Sequence, residues 1–385
     1  MNKKNLIPLL CCLPLALFGC EKPESVVPQD SHTEPDSFAS MYWNTTDTYH
    51  CYKSLNNQTE VLDYETMQVS SLCSKPNCNH NDLDCIVRRL NGNIPMLSGT
   101  NAYYFSDDGA SIQEGEDGKP FLKLGSTLYR FDLATNMEEK LLHIDGMSVS
   151  YNCYGWLLHD GSIYFIGNQY GRKTDENGIL TGWRNTGGEM ALYSVNLATQ
   201  EITNYCNLYN LSELTKYYPE TPHSGEVYMK GLFDNKIYFN VAFAEMGEDH
   251  MATYLHYVTY FDLGTKTYHG EPEDYANIDF GSVAFASEDY LVICADKSAS
   301  VYLRGEAEPL VFRDDAFNDY AKLSVFDDVL FFYDKAYMLK TGEVRTVERL
   351  ANKQIVAKYG DSYIVSDEGM QTGFEKIPVS ELLPV

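Results

Sequence analysis

An extended hairpin pattern repeats along the chain and constrains its fold more than any other sequence feature. In each copy an alternating apolar and polar run meets a turn of Thr, Gly or Asn, and a second extended run follows. Such repetition at intervals of tens of residues is typical of arrays of one structural unit. The pattern therefore predicts an all-β chain. The copies lie at 61–72, 128–142, 192–206, 258–269 and 337–347.

Short aromatic or apolar runs supply a further strand for most of these units. Most of them follow a tight polar turn such as Asp160-Gly161 or Asp234-Asn235. A four-stranded antiparallel meander of this kind is the blade of a β-propeller. We predict a single β-propeller over residues 41–385 with about seven blades, six or eight remaining open, and one chain end completing the blade of the other. The runs lie at 102–106, 162–167, 236–240, 290–295, 329–334 and 362–366.

The N-terminus has the features of an export signal. Lys3 and Lys4 precede an apolar run that is too short to span a membrane and has the proportions of a signal-peptide core. The sequence Leu17-Phe18-Gly19-Cys20 then resembles a bacterial lipobox. The resemblance implies that residues 1–19 are removed and that lipidated Cys20 holds the protein on a membrane through its acyl chains. The alternative is ordinary signal cleavage and release.

The composition of residues 20–40 predicts a tether between the lipid and the folded domain, since Pro, Ser, Glu and Asp dominate it.

The full chain has a net charge of −26, and without residues 1–19 its 27 basic and 55 acidic residues give −28. Such a surface repels nucleic acid, which we exclude as a partner. We therefore expect an exported, monomeric, outward-facing protein on the cell membrane.

Three cysteines and one histidine form the sharpest local motif, Cys73, Cys78, His80 and Cys85, with the spacing C-x4-C-x-H-x4-C. Three thiolates and an imidazole are a complete tetrahedral ligand set for zinc. Exported proteins also form disulfides, and Cys78 with Cys85, or Cys73 with either, could pair, with Cys51 as an outside partner. Because the spacing lacks a C-x2-C unit, we rank a disulfide-stapled loop first, structural zinc second and a catalytic or redox role third.

The remaining cysteines and the acidic turns are weaker candidates. Cys153, Cys206 and Cys294 lie in strand-like runs and are expected to be small buried hydrophobic residues. Oxygen-rich turns such as 107–109 and 175–178 make calcium a weak third option, although neither has the spacing of an EF-hand loop.

The segment 72–85 also resembles a known signature. Its sequence is similar to the LC-x4-C-x-H-x4-C segment near the first blade of predicted propeller lipoproteins of gut Clostridia and their relatives. The repeats resemble propellers of the low-density-lipoprotein-receptor and TolB types, and Met41-Tyr42-Trp43-Asn44 is similar to a YWTD blade sequence. The resemblance implies a propeller in the cell envelope and implies no biochemical activity.

Long segments between the predicted second and third strands of three blades should all emerge on one rim of the propeller. They cover 107–126, 168–189 and 242–253 and mix aromatic with charged residues. Loops on a rigid scaffold often carry binding residues, and a propeller mouth is a natural pocket. The candidate ligand-contacting residues are Tyr170, Arg172, Trp183 and Arg184.

These features favour a binding or scaffold module for an extracellular glycan, peptide or protein. Flat aromatic rings in the long segments would suit a glycan or a peptide. The alternative is a propeller-fold glycosidase or lyase acting on extracellular polysaccharide, which requires two carboxylates at a defined separation. The sequence has no G-x-S-x-G, H-E-x-x-H, P-loop or Rossmann motif. No catalytic residue can be assigned from it, and we favour binding over catalysis.

Overall fold

The computed structural model describes most of the residues from Glu34 to Val385. The predicted signal peptide at 1–19, Cys20 and residues 21–36 lie outside the described residues. No helix in the described part is long and apolar enough to cross a membrane. The described residues are 37–39, 43–54, 58–73, 75, 77–80, 85–90, 94–107, 111–114, 120–123, 125–149, 155–174, 180–185, 190–208, 225–246, 252–270, 281–317, 323–367 and 373–383.

The chain forms a single all-β propeller of seven blades, as the repeats predict. Each blade is an antiparallel meander whose strands are named A to D from the inside outward. Strand β1 (Ser37–Ala39) precedes blade 1, which contains β2 (Trp43–Thr45), β3 (Tyr49–Lys53), β4 (Thr59–Asp63) and β5 (Val69–Ser71). Helix α1 (Ile86–Leu90) leads to blade 2. Blade 2 contains β6 (Met96–Ser98), β7 (Asn101–Asp107), β10 (Gly125–Asp132) and β11 (Met137–Asp145). A hairpin of β8 (Ser111–Glu114) and β9 (Pro120–Lys123) is inserted between β7 and β10.

The other five blades follow in chain order. Blade 3 contains β13 (Trp156–His159), β14 (Ser162–Thr174), β16 (Ala191–Asn196) and β17 (Ile202–Asn207), while β12 (Met147–Ser148) and β15 (Leu180–Asn185) pair with the second half of β14. Blade 4 contains β18 (Gly225–Phe233), β19 (Lys236–Met246), β20 (Ala252–Asp262) and β21 (Thr267–His269). Blade 5 contains β22 (Ser282–Ala286), β23 (Tyr290–Ala295), β24 (Ser298–Leu303) and β25 (Leu310–Arg313). Blade 6 contains β26 (Leu323–Phe326), β27 (Val329–Phe332), β28 (Lys335–Met338) and β29 (Val344–Thr346), and the 3-10 helix Glu348–Leu350 follows. Blade 7 contains β30 (Lys353–Tyr359), β31 (Ser362–Asp367) and β32 (Glu375–Pro378) and leads into α2 (Val379–Leu382).

The predicted hairpins coincide with strands C and D of five blades, and the predicted short runs coincide with strand B of six. The turns that precede those runs explain the agreement. Asp160 and Gly161 have φ angles of 47° and 65°, and Asp234 and Asn235 have φ angles of 46° and 60°. Two successive left-handed residues form the turn that matches the twist of a two-stranded hairpin, and Asp, Asn and Gly tolerate it best.

One backbone hydrogen bond recurs in all seven blades. The amide of the residue after strand C donates to the carbonyl of the residue before strand B, so that the C–D turn is fixed beside the A–B turn. The seven bonds are Tyr64 to Thr48, Leu133 to Thr100, Leu197 to Gly161, Leu263 to Asn235, Arg304 to Asp289, Leu339 to Asp328 and Val379 to Asp361, at 2.9–3.0 Å.

Asp132, Asn196 and Asp262 end strand C in blades 2, 3 and 4 and shape the turn that follows. In each, the side-chain Oδ1 accepts the backbone N–H groups two and three residues further along, at 2.8–3.3 Å. This local bonding is the reason that Asp and Asn favour turns. It accounts for the Asp-Leu and Asn-Leu pairs that recur in the hairpin sequences.

Neighbouring blades are joined by apolar packing and by buried polar contacts. Phe105 of blade 2 packs against Trp156 and Phe165 of blade 3, with ring centres 5.3 and 4.8 Å apart. Between blades 4 and 5, the buried Asn240 side chain accepts the Val283 backbone N–H at 2.8 Å and donates to its carbonyl at 3.3 Å. Apolar packing sets the spacing of the blades, while such polar contacts fix their register.

Side-chain packing closes the ring between blades 7 and 1. Tyr52, Leu62 and Tyr64 of blade 1 form one apolar cluster with Ala357 and Ile364 of blade 7. In the described part of the chain, blade 7 has three strands and receives none from the N-terminal end. The predicted closure by a shared strand is therefore not observed there, because the N-terminal strand pairs elsewhere.

Strand β1 lies between the inner strands of blades 1 and 3. It pairs antiparallel with β2, where Ala39 lies opposite Asn44, and antiparallel with β13, where Ser37 lies opposite Leu158. It thereby joins the two blades into one continuous sheet. The folded part thus begins within the segment 20–40 that composition assigned to the tether, before the boundary predicted at residue 41.

Asp314 makes a polar contact between blades 5 and 6. Its carboxylate accepts hydrogen bonds from the Lys335 amine, from the Ala316 backbone N–H at 3.0 Å and from the Tyr337 hydroxyl at 2.9 Å. The Lys335 amine, followed by the Ala316 N–H, holds the pKa of this carboxyl below its ordinary value.

We expect Asp314→Asn to lower the free energy of unfolding by about 1–2 kcal/mol at pH 7, because hydrogen bonds to a charged acceptor are lost. The unfolded pKa is about 3.9 and the folded pKa lies below it, so this stabilisation is present above about pH 5. It is lost as the pH falls through the folded pKa. Denaturant unfolding at several pH values measures the difference.

Asp315→Asn is the matched control, since the Asp315 side chain is 91% exposed and its contact with Lys297 is expected to contribute little. An Asp314→Asn effect of equal size at pH 7 and at pH 3 would contradict the electrostatic explanation.

Candidate functional site

The Cys and His cluster lies in the connection between blades 1 and 2. Cys73 follows the end of β5 by two residues, and Cys85 immediately precedes α1. Between them, Asn77 and His80 have φ angles of 60° and 57°. These left-handed conformations turn the backbone sharply. The loop therefore brings its two ends together, and with them all four candidate ligands.

The four donor atoms of the cluster all lie within 4.8 Å of one another. His80 Nδ1 lies 3.4 Å from Cys85 Sγ. A tetrahedral zinc ion, bound at about 2.3 Å by sulfur and about 2.0 Å by nitrogen, separates its ligand atoms by about 3.5–3.8 Å. Shifts of about 1 Å would therefore bring all four atoms to bonding positions. The cluster could bind a metal such as zinc.

The inner half of the cluster belongs to the hydrophobic core. Cys73 and Cys85 are 5% and 1% exposed and lie in the apolar cluster that spans blades 1 to 3. Cys78 and His80 are half-buried at its edge. Two ligands thus anchor the loop in the core, while the other two leave a route for an ion from solvent.

Burial raises the pKa of the Cys85 thiol to about 11. The backbone N–H groups of Arg88 and Val87 act in the opposite direction, whereas the neighbouring thiols of Cys78 and Cys73 raise the pKa further. At neutral pH a buried thiol of this kind stays protonated unless a cation is bound beside it. A metal ion supplies the positive charge that a group of thiolates requires.

The disulfide pairings considered from the sequence all require Cys51, Cys73 or Cys85. In this structure each of these three residues carries a free thiol. Cys51 is completely buried in β3, where it belongs to the same apolar cluster as Cys73. The proximity of the four donor atoms is compatible with a metal site, and the disulfide pairings stay a prediction from the sequence.

Helix α1 holds the second half of the loop against blade 2. Its three apolar residues are buried. On its other face Arg89 forms an ion pair with Glu138 at 2.5 Å, and its guanidinium lies 5.4 Å from the ring centre of Tyr129. The Tyr104 hydroxyl donates to the same Glu138 carboxylate. No local sequence pattern predicts this ion pair, because only the strand register of blade 2 places Glu138 beside α1.

The remaining cysteines lie in strands where they are described. Cys294 is completely buried in β23, as expected of a small hydrophobic residue. Cys206 lies half-buried in β17 and packs at the edge of an apolar cluster. Cys153 lies outside the described residues.

The predicted ligand-contacting residues lie on one hairpin. Strands β14 and β15 pair so that Arg172 is opposite Trp183, Gly171 is opposite Arg184 and Tyr170 is opposite Asn185. The backbone therefore brings the four candidates Tyr170, Arg172, Trp183 and Arg184 into a short stretch of one two-stranded ribbon, beyond the part of β14 that belongs to blade 3.

Three such hairpins rise from the same rim on consecutive blades, and we call them the crown. They are β8 with β9 at 111–123, β14 with β15 at 168–185, and the outer halves of β19 and β20 at 242–256. Strands β9 and β15, on neighbouring blades, are in contact. In a meander of four strands the B–C and D–A connections share a rim, so the Cys and His cluster lies on the crown side.

The same connection is minimal in blades 5 and 6. Strands β23 and β24 are joined by Asp296 and Lys297, with φ angles of 48° and 61°, and β27 and β28 are joined by Tyr333 and Asp334. This rim therefore carries hairpin extensions on blades 2 to 4 and ends in two-residue turns on blades 5 and 6. This asymmetry makes one side of the propeller mouth structurally distinct.

Strand β18, the inner strand of blade 4, carries polar groups that the sequence did not identify as a site. The Tyr228 hydroxyl donates to the Glu226 carboxylate. Lys230 is the extra residue of a β-bulge between Met229 and Gly231, and burial lowers the pKa of its amine. A bulge re-aims a side chain, but alternation along the strand does not predict it.

Comparisons with known proteins add little to this description. No protein-family model matches the chain, and no curated protein matches it. Among solved structures, the Synechocystis apocarotenoid oxygenase is 8% identical with a TM-score of 0.35, covering 90% of this chain and 72% of that one. The β-propeller domain of the Trilobed protease from Pyrococcus furiosus is 8% identical with a TM-score of 0.34, covering 90% and 98%. Such values carry no argument about function, and the fold assignment follows from the strand topology.

We expect the purified protein to bind one Zn²⁺ or Co²⁺ per chain, with the cobalt absorption typical of tetrahedral thiolate coordination. Cys78→Ser should weaken binding by more than the roughly 10–100-fold that loss of an outer partner costs, because it removes a ligand. Metal titration followed by absorption measures both. Cys206→Ser is the control, since Cys206 lies outside the cluster. Equal metal affinity in the two variants would rule out this site.

Proposed function

We propose that this chain is an exported, lipid-anchored propeller that binds an extracellular ligand at its crown and holds a structural zinc ion in its Cys and His cluster. The observation that carries the proposal is the asymmetric rim, where three consecutive blades are extended while blades 5 and 6 end in two-residue turns. An extension that served only folding would have no reason to be confined to one side.

The crown suits ligand binding because it combines a rigid backbone with aromatic and charged residues. Two of its three ribbons, β14 with β15 and β19 with β20, extend strands of the blades, so their positions are fixed by the scaffold. Sites on rigid elements lose less freedom on binding than sites on loose loops. The crown sequences contain Tyr170 and Trp183, and such rings bind sugar faces and peptide side chains with large contact area. A glycan, a peptide or a protein is therefore the ligand class that we propose.

A structural role for zinc follows from the number of ligands. Cys73, Cys78, His80 and Cys85 would complete a tetrahedron and leave no open position for water or substrate, as in structural rather than catalytic sites. The ion would tie the end of blade 1 to α1, which Arg89 attaches to blade 2 through Glu138. Zinc would thus stabilise the crown side of the propeller near the first blade.

Shortening the crown should abolish ligand binding without unfolding the protein. We propose replacing residues 171–184 by Asn-Gly, which joins Tyr170 to Asn185, already opposite each other in the ribbon. The blade 3 pairs from Ser162 to Gly167 remain intact. We expect the intact chain to bind members of a glycan and peptide array, and we expect the shortened variant to lose at least most of that binding.

The matched control replaces Asp296-Lys297 by Asn-Gly on the same rim outside the crown. This control should retain full binding, and both variants should show the same unfolding transition within a few degrees. Ligand binding that survives shortening, or that is lost equally in the control, would contradict a binding site on the crown.

The lipid anchor is tested separately. We expect Cys20→Ala to move the protein from the membrane fraction to the soluble fraction of cells, because the acyl chains are attached to that residue. Mass spectrometry of the mature N-terminus identifies the lipid directly. Recovery of an unmodified, cleaved chain in the medium would instead support ordinary secretion.

A further inference from the structure

The position of β1 determines the rim at which the chain enters the propeller. Strand β13 runs from Trp156 to His159 and leads into the A–B turn at Asp160. Because β1 is antiparallel to β13 and Ser37 lies opposite Leu158, the beginning of β1 is at the A–B end of that strand.

The pairing of β1 with β2 gives the same direction independently. Ala39 lies opposite Asn44, and β2 then runs on to its own A–B turn after Thr45. Strand β1 thus begins on the A–B side and runs along the inner strands toward the crown side, and β2 runs in the opposite direction. The strand registers of β1 with β13 and of β1 with β2 both place the start of β1 at the A–B rim.

We propose that the propeller stands on the membrane with its A–B rim toward the lipid and with the crown and the Cys and His cluster facing away from it. This orientation rests on the proposed lipid anchor at Cys20. Residues 21–36 separate that anchor from Ser37, the first residue of β1. The anchor therefore joins the folded domain at the rim opposite the crown.

The length of residues 21–36 decides whether the propeller could also stand with its crown toward the lipid. Residues 21–36 can span at most about 56–61 Å at full extension. Reaching the crown side requires passing outward across four strands, about 15 Å, and then along a blade of about 25–30 Å. The first orientation needs only a small part of that maximum, whereas the second needs about 40–45 Å of it.

Electrostatic repulsion affects the distance between the A–B rim and the lipid more than it affects the orientation of the propeller. The A–B rim is acidic, so an anionic surface repels it. Such repulsion is screened over about 8 Å at physiological ionic strength, a shorter distance than the tether spans. We therefore expect a propeller held close to the membrane without adhering to it. The acidic residues of the A–B turns are Asp47, Asp160, Asp234, Glu288, Asp289, Asp327, Asp328 and Asp361, of which Asp234, Asp327 and Asp328 pair with lysines.

Two turns form a matched pair of reporter positions. Asp234 lies in the A–B turn of blade 4, and Asp296 lies in the B–C turn of blade 5, with φ angles of 46° and 48°. Both side chains are exposed. Replacing either by p-azidophenylalanine changes the charge equally and places the same residue in the same backbone conformation, so the same dye can be attached at each rim.

The experiment measures energy transfer from this dye to a headgroup-labelled acceptor in phosphatidylcholine vesicles. It uses two full-length forms, the natural lipidated chain and a Cys20→Ala chain with six histidines inserted after residue 20, bound to a nickel-chelating lipid. We expect severalfold stronger transfer from position 234 than from position 296 in both forms. Phosphatidylserine vesicles should lower both signals and preserve their order.

Equal transfer from the two positions, or stronger transfer from position 296, would overturn the orientation in either form. If the natural chain carries no lipid and does not bind vesicles, the proposed anchor fails, and the histidine-tagged form still decides the orientation. A Ser37→Pro variant gives a second check, because proline lacks the backbone N–H and weakens strand pairing. It should reduce the difference between the two positions in both forms.

Discussion

The bond between the residue after strand C and the A–B turn is the constraint on which every blade depends. It occurs in all seven blades, with donors as different as Tyr64, Arg304 and Val379, because it joins backbone groups only. It fixes the C–D and A–B turns together on one rim and makes that rim nearly invariant. On the other rim of the described chain, a comparable bond joins the residue after strand D to the residue before strand C in blades 3, 5 and 6. The segments between strands B and C lie outside these bonds, so insertions there leave the blades intact.

This division explains where the candidate sites are found. The crown and the Cys and His cluster both lie on this second rim, where long connections are compatible with the blade. The cluster adds its own fixed points, since Cys73 and Cys85 are buried in the core and Arg89 pairs with Glu138. A connection tied at both ends in this way can hold four ligand atoms within reach of one ion.

The sequence predicted the elements whose signal is local. Turns such as Asp160-Gly161 and alternation over 128–142 identify strands because backbone conformation and one-sided burial act on neighbouring residues. Strand β1 escaped prediction, since three residues show no alternation and its partner β13 lies far along the chain. For the same reason the ring closure and the Arg89 to Glu138 pair were not foreseen. The four cluster residues were identified because they are close in sequence.

The ring is closed between blades 7 and 1 by side-chain contacts, and we call this boundary the seam. At every other boundary the chain itself continues from one blade to the next, but here the described residues are held by the apolar cluster of Tyr52, Leu62, Tyr64, Ala357 and Ile364. Opening the seam breaks no ladder of backbone hydrogen bonds, whereas opening any blade does. The molecule is in this respect an open ribbon bent into a circle, and its two end blades are held together by side chains.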